Sequence, residues 1–220
     1  MQIKSFFNDY KDHHYKKGQV ILRSEDVPQG VYYLKKGSIR VFIVTEDGLE
    51  LTINLLHPSS FFPMSWAILN TPNNYFFEAM TDVETSRAPL QDFLDFIHKD
   101  VKSISEINKI ILYSLNRALL RLQYMVLGNA RERVANVLLM LGGRMGTKKK
   151  NGKAVAFPIT QQQIANLAAL TRESVGYELK QLAKEKLISR KYRNCTINNT
   201  KLLQEKYCSY SEGHPLPFIC

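Results

Sequence analysis

The first part of the chain is built from short runs rich in β-branched and aromatic residues. Val20-Ile21-Leu22, Val31-Tyr32-Tyr33-Leu34, Ile39-Arg40-Val41-Phe42-Ile43-Val44 and Leu51-Thr52-Ile53-Asn54-Leu55 are separated by turn residues at Gly18, Pro28-Gln29-Gly30, Lys36-Gly37 and Asp47-Gly48. Runs of this kind read as strands. Asp-Gly between two of them signals a hairpin, because glycine accepts positive φ at no steric cost. Such strands, spread from Tyr15 to Ala88, predict an antiparallel sandwich or barrel. The period changes at Pro89, where Phe93, Leu94 and Ile97 begin a helical stripe. From about Asp100 to Gly128, Ile104, Ile107, Ile111, Leu115, Ala118, Leu122 and Met125 recur at steps of three and four. Leu112, Leu119 and Val126 add a second stripe at steps of seven. One stripe would bury against the chain's own sheet, and the second leaves a seam that a twin helix fills economically. The alternative is an internal core helix wrapped on two sides.

Beyond Gly128-Asn129, residues 131–141 (RERVANVLLML) read as an amphipathic helix stopped by Gly142-Gly143. Thr147 to Lys153 reads as a basic hairpin around Asn151-Gly152, and Val155-Ala156-Phe157 as a strand. Residues 157–188, FPITQQQIANLAALTRESVGYELKQLAKEKLI, are the most informative stretch. Thr160 with Gln163 three residues on has capping-box spacing, and Ile159 with Ile164 fits a hydrophobic staple. A short helix therefore starts at Gln161. Ala168-Ala169-Leu170 turns the chain, and Thr171 caps a second helix that runs to about Lys184. Val175, Leu179 and Leu182 form its buried face. Two short helices joined by so tight a turn make a helix-turn-helix. Ser189 to Ile197 follows as a basic hairpin, a wing.

Length and composition fit this division. At 220 residues, 45% apolar and 23% charged, the chain is ordinary globular material for two modest domains. No run approaches the roughly 20 apolar residues of a membrane span. The N-terminus has no apolar stretch suited to a secretory signal. Cys195, Cys208 and Cys220 are odd in number and far apart, so they suggest no disulfide framework. A reduced, cytoplasmic protein is expected. Charge changes the picture more. Residues 1–130 hold 14 Lys and Arg against 14 Asp and Glu, whereas residues 131–220 hold 16 against 6. The whole excess of +10 lies in the last 90 residues. Such a module suits a polyanion, either nucleic acid or a membrane surface.

Combined with the helix-turn-helix, the charge points to double-stranded DNA. The second helix of such a pair enters the major groove and offers its N-terminal residues to base edges. Arg172 suits guanine O6 and N7, and Glu173 can accept from cytosine N4. Thr160, Gln161 and Gln162 stand at the positive end of the first helix, where phosphates bind. Thr171, Ser174, Tyr177, Lys180 and Arg193 complete the predicted contact set.

These residues resemble the Crp/Fnr family of bacterial transcription regulators. The resemblance spans about residues 15–205. It is carried by YKKGQVILRSEDVPQGVYYLKKGSIRVFIVTEDGLELTINLLHPSSFFP, by AMTDVETSRAPLQDFLDFI, by RERVANVLLML and by the stretch from Phe157 to Ile188 with its hairpin. It implies an α+β protein: an N-terminal antiparallel β-roll or jelly roll like a cyclic-nucleotide-binding domain (residues 1–99), a long dimerisation helix (100–129), a C-terminal winged helix-turn-helix (130–205) and a tail (206–220). It also implies a homodimer on a near-palindromic operator, half-sites about one helical turn apart. RNA polymerase is a further implied partner. The seam would comprise Ile104, Ile107, Ile111, Leu115, Leu119, Leu122 and Met125.

The departures from the family bear on the effector. Members that bind cyclic AMP carry Gly-Glu after a Phe-rich turn and then Arg-Ser or Arg-Thr, the arginine facing the phosphate and the glutamate the ribose. Here Phe61-Phe62-Pro63-Met64-Ser65-Trp66-Ala67 and Asn73-Asn74-Tyr75-Phe76-Phe77 stand in those places. The segment from Lys36 to Arg87 has no Lys or Arg between its ends except Arg40. Cyclic AMP is therefore not expected to bind. The effector is an apolar or aromatic molecule, or absent, and its pocket would draw on Phe62, Met64, Ser65, Trp66, Asn73, Asn74 and Tyr75. Oxygen-sensing members hold an iron–sulfur cluster on four cysteines, and no cysteine precedes Cys195. His57, read as the only histidine within the strands, gives no haem-binding pattern. No cofactor is expected. Tyr177 stands where several relatives place a second arginine, which alters the reading of the inner bases. The tail, with Cys208, His214 and Cys220, matches no zinc spacing and reads as a flexible or packing segment rather than a metal site. An enzyme of the cupin type would need a His/Glu cluster, which His13, His14, His57, His98 and His214 do not form. The remaining rivals are a ligand-binding scaffold protein without specific DNA readout and a cyclic-nucleotide-responsive regulator with an atypical pocket.

Overall fold

The computed structural model describes residues 2–99, 101–148, 155–192 and 194–207. Arg193, the Asn151-Gly152 turn, and Cys208, His214 and Cys220 lie outside the described residues. Two compact units divide at Asn116/Arg117.

In the first unit, β1 (Asp12–Tyr15), β3 (Val31–Lys36), β6 (Phe61–Phe62) and β8 (Val83–Ala88) form one antiparallel sheet in the order β1-β8-β3-β6. A second contains β2 (Val20–Leu22), β4 (Ile39–Val44), β5 (Glu50–Leu56) and β7 (Phe76–Ala79) in the order β2-β7-β4-β5. Three helices accompany them: α1 (Gln2–Phe7), α2 (Met64–Leu69) and α3 (Leu90–His98). Strand side chains alternate between faces, so neighbours in sequence serve different cores. Tyr32, Leu34 and Phe62 join Ile39, Val41 and Phe77 in one cluster, with ring centroids 5.2 Å apart for Tyr32 and Phe62 and 5.0 Å for Phe62 and Phe77. Val31, Tyr33 and Phe61 face the other way and meet Ile3, Phe7, Phe93 and Ile97 from the helices. Burial of both faces explains why β3 opens on four consecutive apolar residues rather than an alternation.

The α+β architecture expected from the sequence is the one the chain adopts, with local corrections. The first strand is Asp12–Tyr15, so His13 and His14 lie in a strand and His57 lies just after β5. This polar edge strand has no apolar pattern; its register on β8 defines it. Helix α1 had no sequence signal either. A helix this short is marginal alone, and it forms where Phe6 stacks on Phe96 at 4.4 Å and Phe7 on Tyr33 at 5.1 Å.

Helix α4 runs without interruption from Val101 to Leu127. After it, α5 (Ala130–Met145) begins at an Asn129–Glu132 capping box and continues through Gly142-Gly143, which do not stop it. Each interior glycine costs a helix about 1 kcal/mol relative to alanine, and packing supplies the reason at Gly142. A Cβ there would come within 3.0 Å of Ile197 Cδ1 and 3.4 Å of Phe157 Cε1. The remaining elements of the second unit are β9 (Thr147–Lys148), β10 (Val155–Pro158), α6 (Gln161–Ala168), α7 (Arg172–Lys184), β11 (Ile188–Lys191), β12 (Asn194–Ile197) and α8 (Thr200–Tyr207). Their sheet order is β11-β12-β10-β9.

Candidate nucleic-acid interface

The helix-turn-helix is locally well defined. Thr160 Oγ1 accepts from Gln163 N–H at 3.2 Å, and Gln163 Oε1 accepts from Thr160 N–H at 3.0 Å. This reciprocal pair satisfies two donors that a helix start leaves open. Ile159 and Ile164 are both buried. The helix ends at Ala169, which adopts the left-handed conformation (φ 49°, ψ 52°), and Leu170 N–H returns to Ala165 O at 3.1 Å. Thr171 Oγ1 then accepts from Ser174 N–H at 3.2 Å to open α7. Val175, Leu179 and Leu182 point into the core of the unit.

What remains on α7 faces outward. Arg172, Glu173 and Lys180 are exposed, and Tyr177 is 58% exposed. Glu173, Tyr177 and Lys180 follow at i, i+4 and i+7, one side of the helix. Arg172 makes no hydrogen bond or ion pair with any described residue, so its fork of donors is available. A cleft of about 400 Å³ brings Arg172 together with Thr160, Gln161 and Gln162 of α6 and with Arg190 and Tyr192 of the β11–β12 wing. Thr171 and Ser174 instead act mainly as a cap, their hydroxyls 2.9 Å apart. Arg190 and Tyr192 were not singled out by the sequence. Within the cleft, Arg190 Nε is buried with no protein hydrogen-bond partner, and Tyr192 stands free at the wing tip.

A second set of residues, also absent from the sequence reading, holds the two helices in place. Arg131 of α5 donates from Nε to Glu178 of α7 at 2.7 Å and from Nη1 to Glu185 at 3.2 Å. The Glu178 carboxylate raises the Arg131 pKa above its ordinary value. Glu185 also accepts from Lys206 and Tyr207 of α8, which hold its carboxyl below its usual range. Arg133 donates to Ala168 O and Ala169 O, and Arg121 of α4 donates to Leu167 O. Partners 35 to 54 residues away are invisible to local periodicity.

Residues 132–206 match the Crp-like helix-turn-helix domain and residues 12–100 the cyclic nucleotide-binding domain. The chain belongs to the Crp/Fnr family of transcription regulators. Over 199 residues it is 25% identical to a global nitrogen regulator of Nostoc sp., covering 88% of this chain and 87% of the relative. It is 28% identical to the transcriptional regulator SdrP of Thermus thermophilus, covering 90% and 95%. The crystal structure of TTHA1359, a CRP/FNR-family regulator from the same organism, superposes with a TM-score of 0.76 at 25% identity, covering 89% and 97%. As a Crp/Fnr member the protein is a DNA-binding transcription regulator, not an enzyme. No helix among the described residues is long and apolar enough to cross a membrane.

The Crp/Fnr long helix, α4, carries the predicted seam with one exception. Ile104, Ile111, Leu115, Leu119 and Leu122 are exposed, with Leu112 and Val126 beside them, and Met125 is partly covered. Ile107 is only 4% exposed and packs with Phe93 and Ile97 in the core of the first unit. Ser103, Ile107 and Ile110 make a face of their own at i, i+4, i+7, so a stripe stepping irregularly by three and four crossed two faces of one helix.

The seven predicted effector residues do not gather on one cavity. Phe62 and Tyr75 belong to the cluster between the sheets, while Met64 and Trp66 pack on the cluster beneath α3. Asn73 spends its amide on Arg23 O and Tyr75 O at 2.7 and 3.0 Å. Ser65 and Asn74 face solvent. Arg40 is already committed as well: it donates to Glu50 at 2.6 Å and Glu78 at 2.7 Å, with its guanidinium 4.0 Å from the Phe42 ring centroid.

Proposed function

We propose that the protein works as a homodimer that recognises a near-palindromic operator, with an effector that is not cyclic AMP or with none. In this reading Arg172 and Glu173 read base edges, Tyr177 and Lys180 extend the contact along the groove, and Thr160, Gln161, Gln162 and Arg190 meet phosphates. Thr171 and Ser174 set the start of the reading helix, and Arg193 belongs to the wing. The observation that carries the proposal is the cleft that joins the N-terminus of α6, Arg172 and the wing on one outward surface of the +10 half of the chain. Backbone N–H groups at a helix start favour phosphate, and an unpaired arginine beside them suits a base.

The exposed apolar side of α4 supports self-association, because a second copy of the same stripe would cover it. Residues 100–129 then serve as the dimer helix between an effector-type domain (1–99) and the DNA-binding domain (130–205), followed by the tail (206–220). Cyclic AMP is disfavoured because Arg40, alone among the residues between Lys36 and Arg87 in carrying a positive charge, is held by two carboxylates. A phosphate would have to displace both and would meet their negative charge. The protein acts in the cytoplasm, and RNA polymerase is the partner its promoter-bound form would meet. Selection and sequencing of duplexes bound from a random pool tests the reading. A near-palindrome with half-sites about one helical turn apart is expected; equal recovery of every sequence would refute it.

A further inference from the structure

Three consecutive carbonyl oxygens close the first helix of the helix-turn-helix, and two guanidinium groups hold all three. Arg133 donates from Nε and Nη2 to Ala168 O at 3.0 and 2.6 Å, and from Nη2 to Ala169 O at 2.8 Å. Arg121 donates from Nη2 to Leu167 O at 2.9 Å. The last carbonyls of a helix have no intrahelical donors and carry the negative end of its dipole, so cations belong there. These carbonyls flank Ala169, whose left-handed backbone sets the bend between α6 and α7. The two arginines thus grip the residue on which the direction of the reading helix depends.

Arg121 differs from Arg133 in its origin. It lies on α4, in the stretch from Arg117 that belongs to the same compact unit as the helix-turn-helix. Its neighbours in that stretch divide by face. Leu120 and Tyr124 are buried within the unit, whereas Leu119, Leu122 and Val126 are exposed on the seam. Burial lowers the Arg121 guanidinium to about 10, which still leaves it protonated at neutral pH. One helical turn therefore offers apolar side chains to a partner and a fixed cation to the turn of the helix-turn-helix.

We infer that Arg121 is a positioning residue that couples self-association along α4 to sequence readout by α7. A second copy seated on Leu119, Leu122 and Val126 fixes this turn of α4, and Arg121 passes the constraint to the end of α6 and so to the bend at Ala169. The inference rests on the proposed dimeric, sequence-specific reading and adds the residue through which the two properties are linked. Arg121 lies under the carboxy-terminal end of α6, not on the outward side of α7, so its part in recognition is indirect.

The test uses full-length R121M, which keeps much of the buried volume and removes the donor, with R121Q as a second variant should R121M fail to fold. Self-association is measured by sedimentation equilibrium. Affinity is measured for the selected operator and for a random duplex of equal length across several salt concentrations. The variant is expected to stay dimeric and to bind the random duplex within about twofold of wild type with the same salt slope, since no phosphate contact is lost. Its operator affinity is expected to fall about tenfold, within the range that coupling residues remote from a ligand produce. An unchanged operator-to-random ratio overturns the inference. So does an equal loss on both duplexes, which would make Arg121 a phosphate contact, or dissociation into monomers, which would make it part of the seam. A wild-type protein without operator preference refutes the proposed function itself and removes the basis of the inference.

Discussion

Replacing Arg172 by alanine separates base reading from every other role of the recognition helix. Arg172 is the first residue of α7 and has no hydrogen bond or ion pair among the described residues. Loss of an exposed side chain of this kind changes folding stability by no more than about 0.5 kcal/mol. The sign favours a small gain, because a positive charge at a helix N-terminus opposes the dipole by about 0.3–1 kcal/mol. A bidentate arginine–guanine contact is worth about 1–3 kcal/mol of discrimination. At 1.4 kcal/mol per tenfold, that is about 5- to 150-fold in affinity for each half-site. The assay is competition binding against operators carrying single base-pair changes. Wild type is expected to reject changes at one position in each half-site, and R172A to become indifferent there while keeping its other preferences. The slope of log affinity against log salt should not change. The reasoning fails if R172A loses affinity equally for all sequences and its slope becomes shallower by about 0.9, the signature of one lost phosphate contact.

Four further outcomes are expected. Thr160→Ala removes the capping box and should cost about 1 kcal/mol, lowering the thermal midpoint of the C-terminal unit by about 4–8 °C in circular dichroism; a shift under about 1 °C would contradict the cap. Leu122→Glu puts a charge on a side chain that is 55% exposed in the single chain, so the fold should survive while sedimentation velocity reports monomer; a persistent dimer would place the interface elsewhere. Titration calorimetry with cyclic AMP should give no binding in the micromolar range, and a saturating isotherm there would show that a phosphate finds a counter-charge despite the commitment of Arg40 to Glu50 and Glu78. Burial raises the Cys195 thiol from its ordinary 9.0 to about 11. The folded state therefore disfavours the thiolate, and the stability contributed by the neutral thiol is complete below about pH 9 and lost as pH rises toward 11. In a variant with Cys208 and Cys220 changed to serine, a thiol reagent should modify Cys195 only on unfolding, and rapid labelling of folded protein at neutral pH would refute its burial.

Much of the DNA-binding module is legible in the sequence because its signals are local. A capping box, a staple and a second threonine cap each involve residues within five positions of one another, so Thr160, Gln163 and Thr171 announce the helix starts without knowledge of anything distant. The charge asymmetry is likewise a property of the chain alone. The seam on α4 is mostly legible for the same reason, although Ile107 shows that periodicity marks an apolar residue without saying which neighbour covers it. Gly142-Gly143 misled in a comparable way: glycine marks both helix ends and close approaches, and only Ile197 and Phe157 against Gly142 distinguish them.

Composition and spacing thus determined on their own that a strand-rich, neutral module precedes a long amphipathic helix and a basic pair of capped helices. Tertiary structure alone decided what holds those helices at a working angle. Arg121, Arg131 and Arg133 look in the sequence like solvated charges on helix turns, and their carbonyl and carboxylate partners lie tens of residues away. It also decided that Arg40 is neutralised and that the predicted effector residues divide between two cores. Hydrogen bonds and ion pairs depend on distance in space, and a helical or strand period carries no record of which distant segment folding brings alongside.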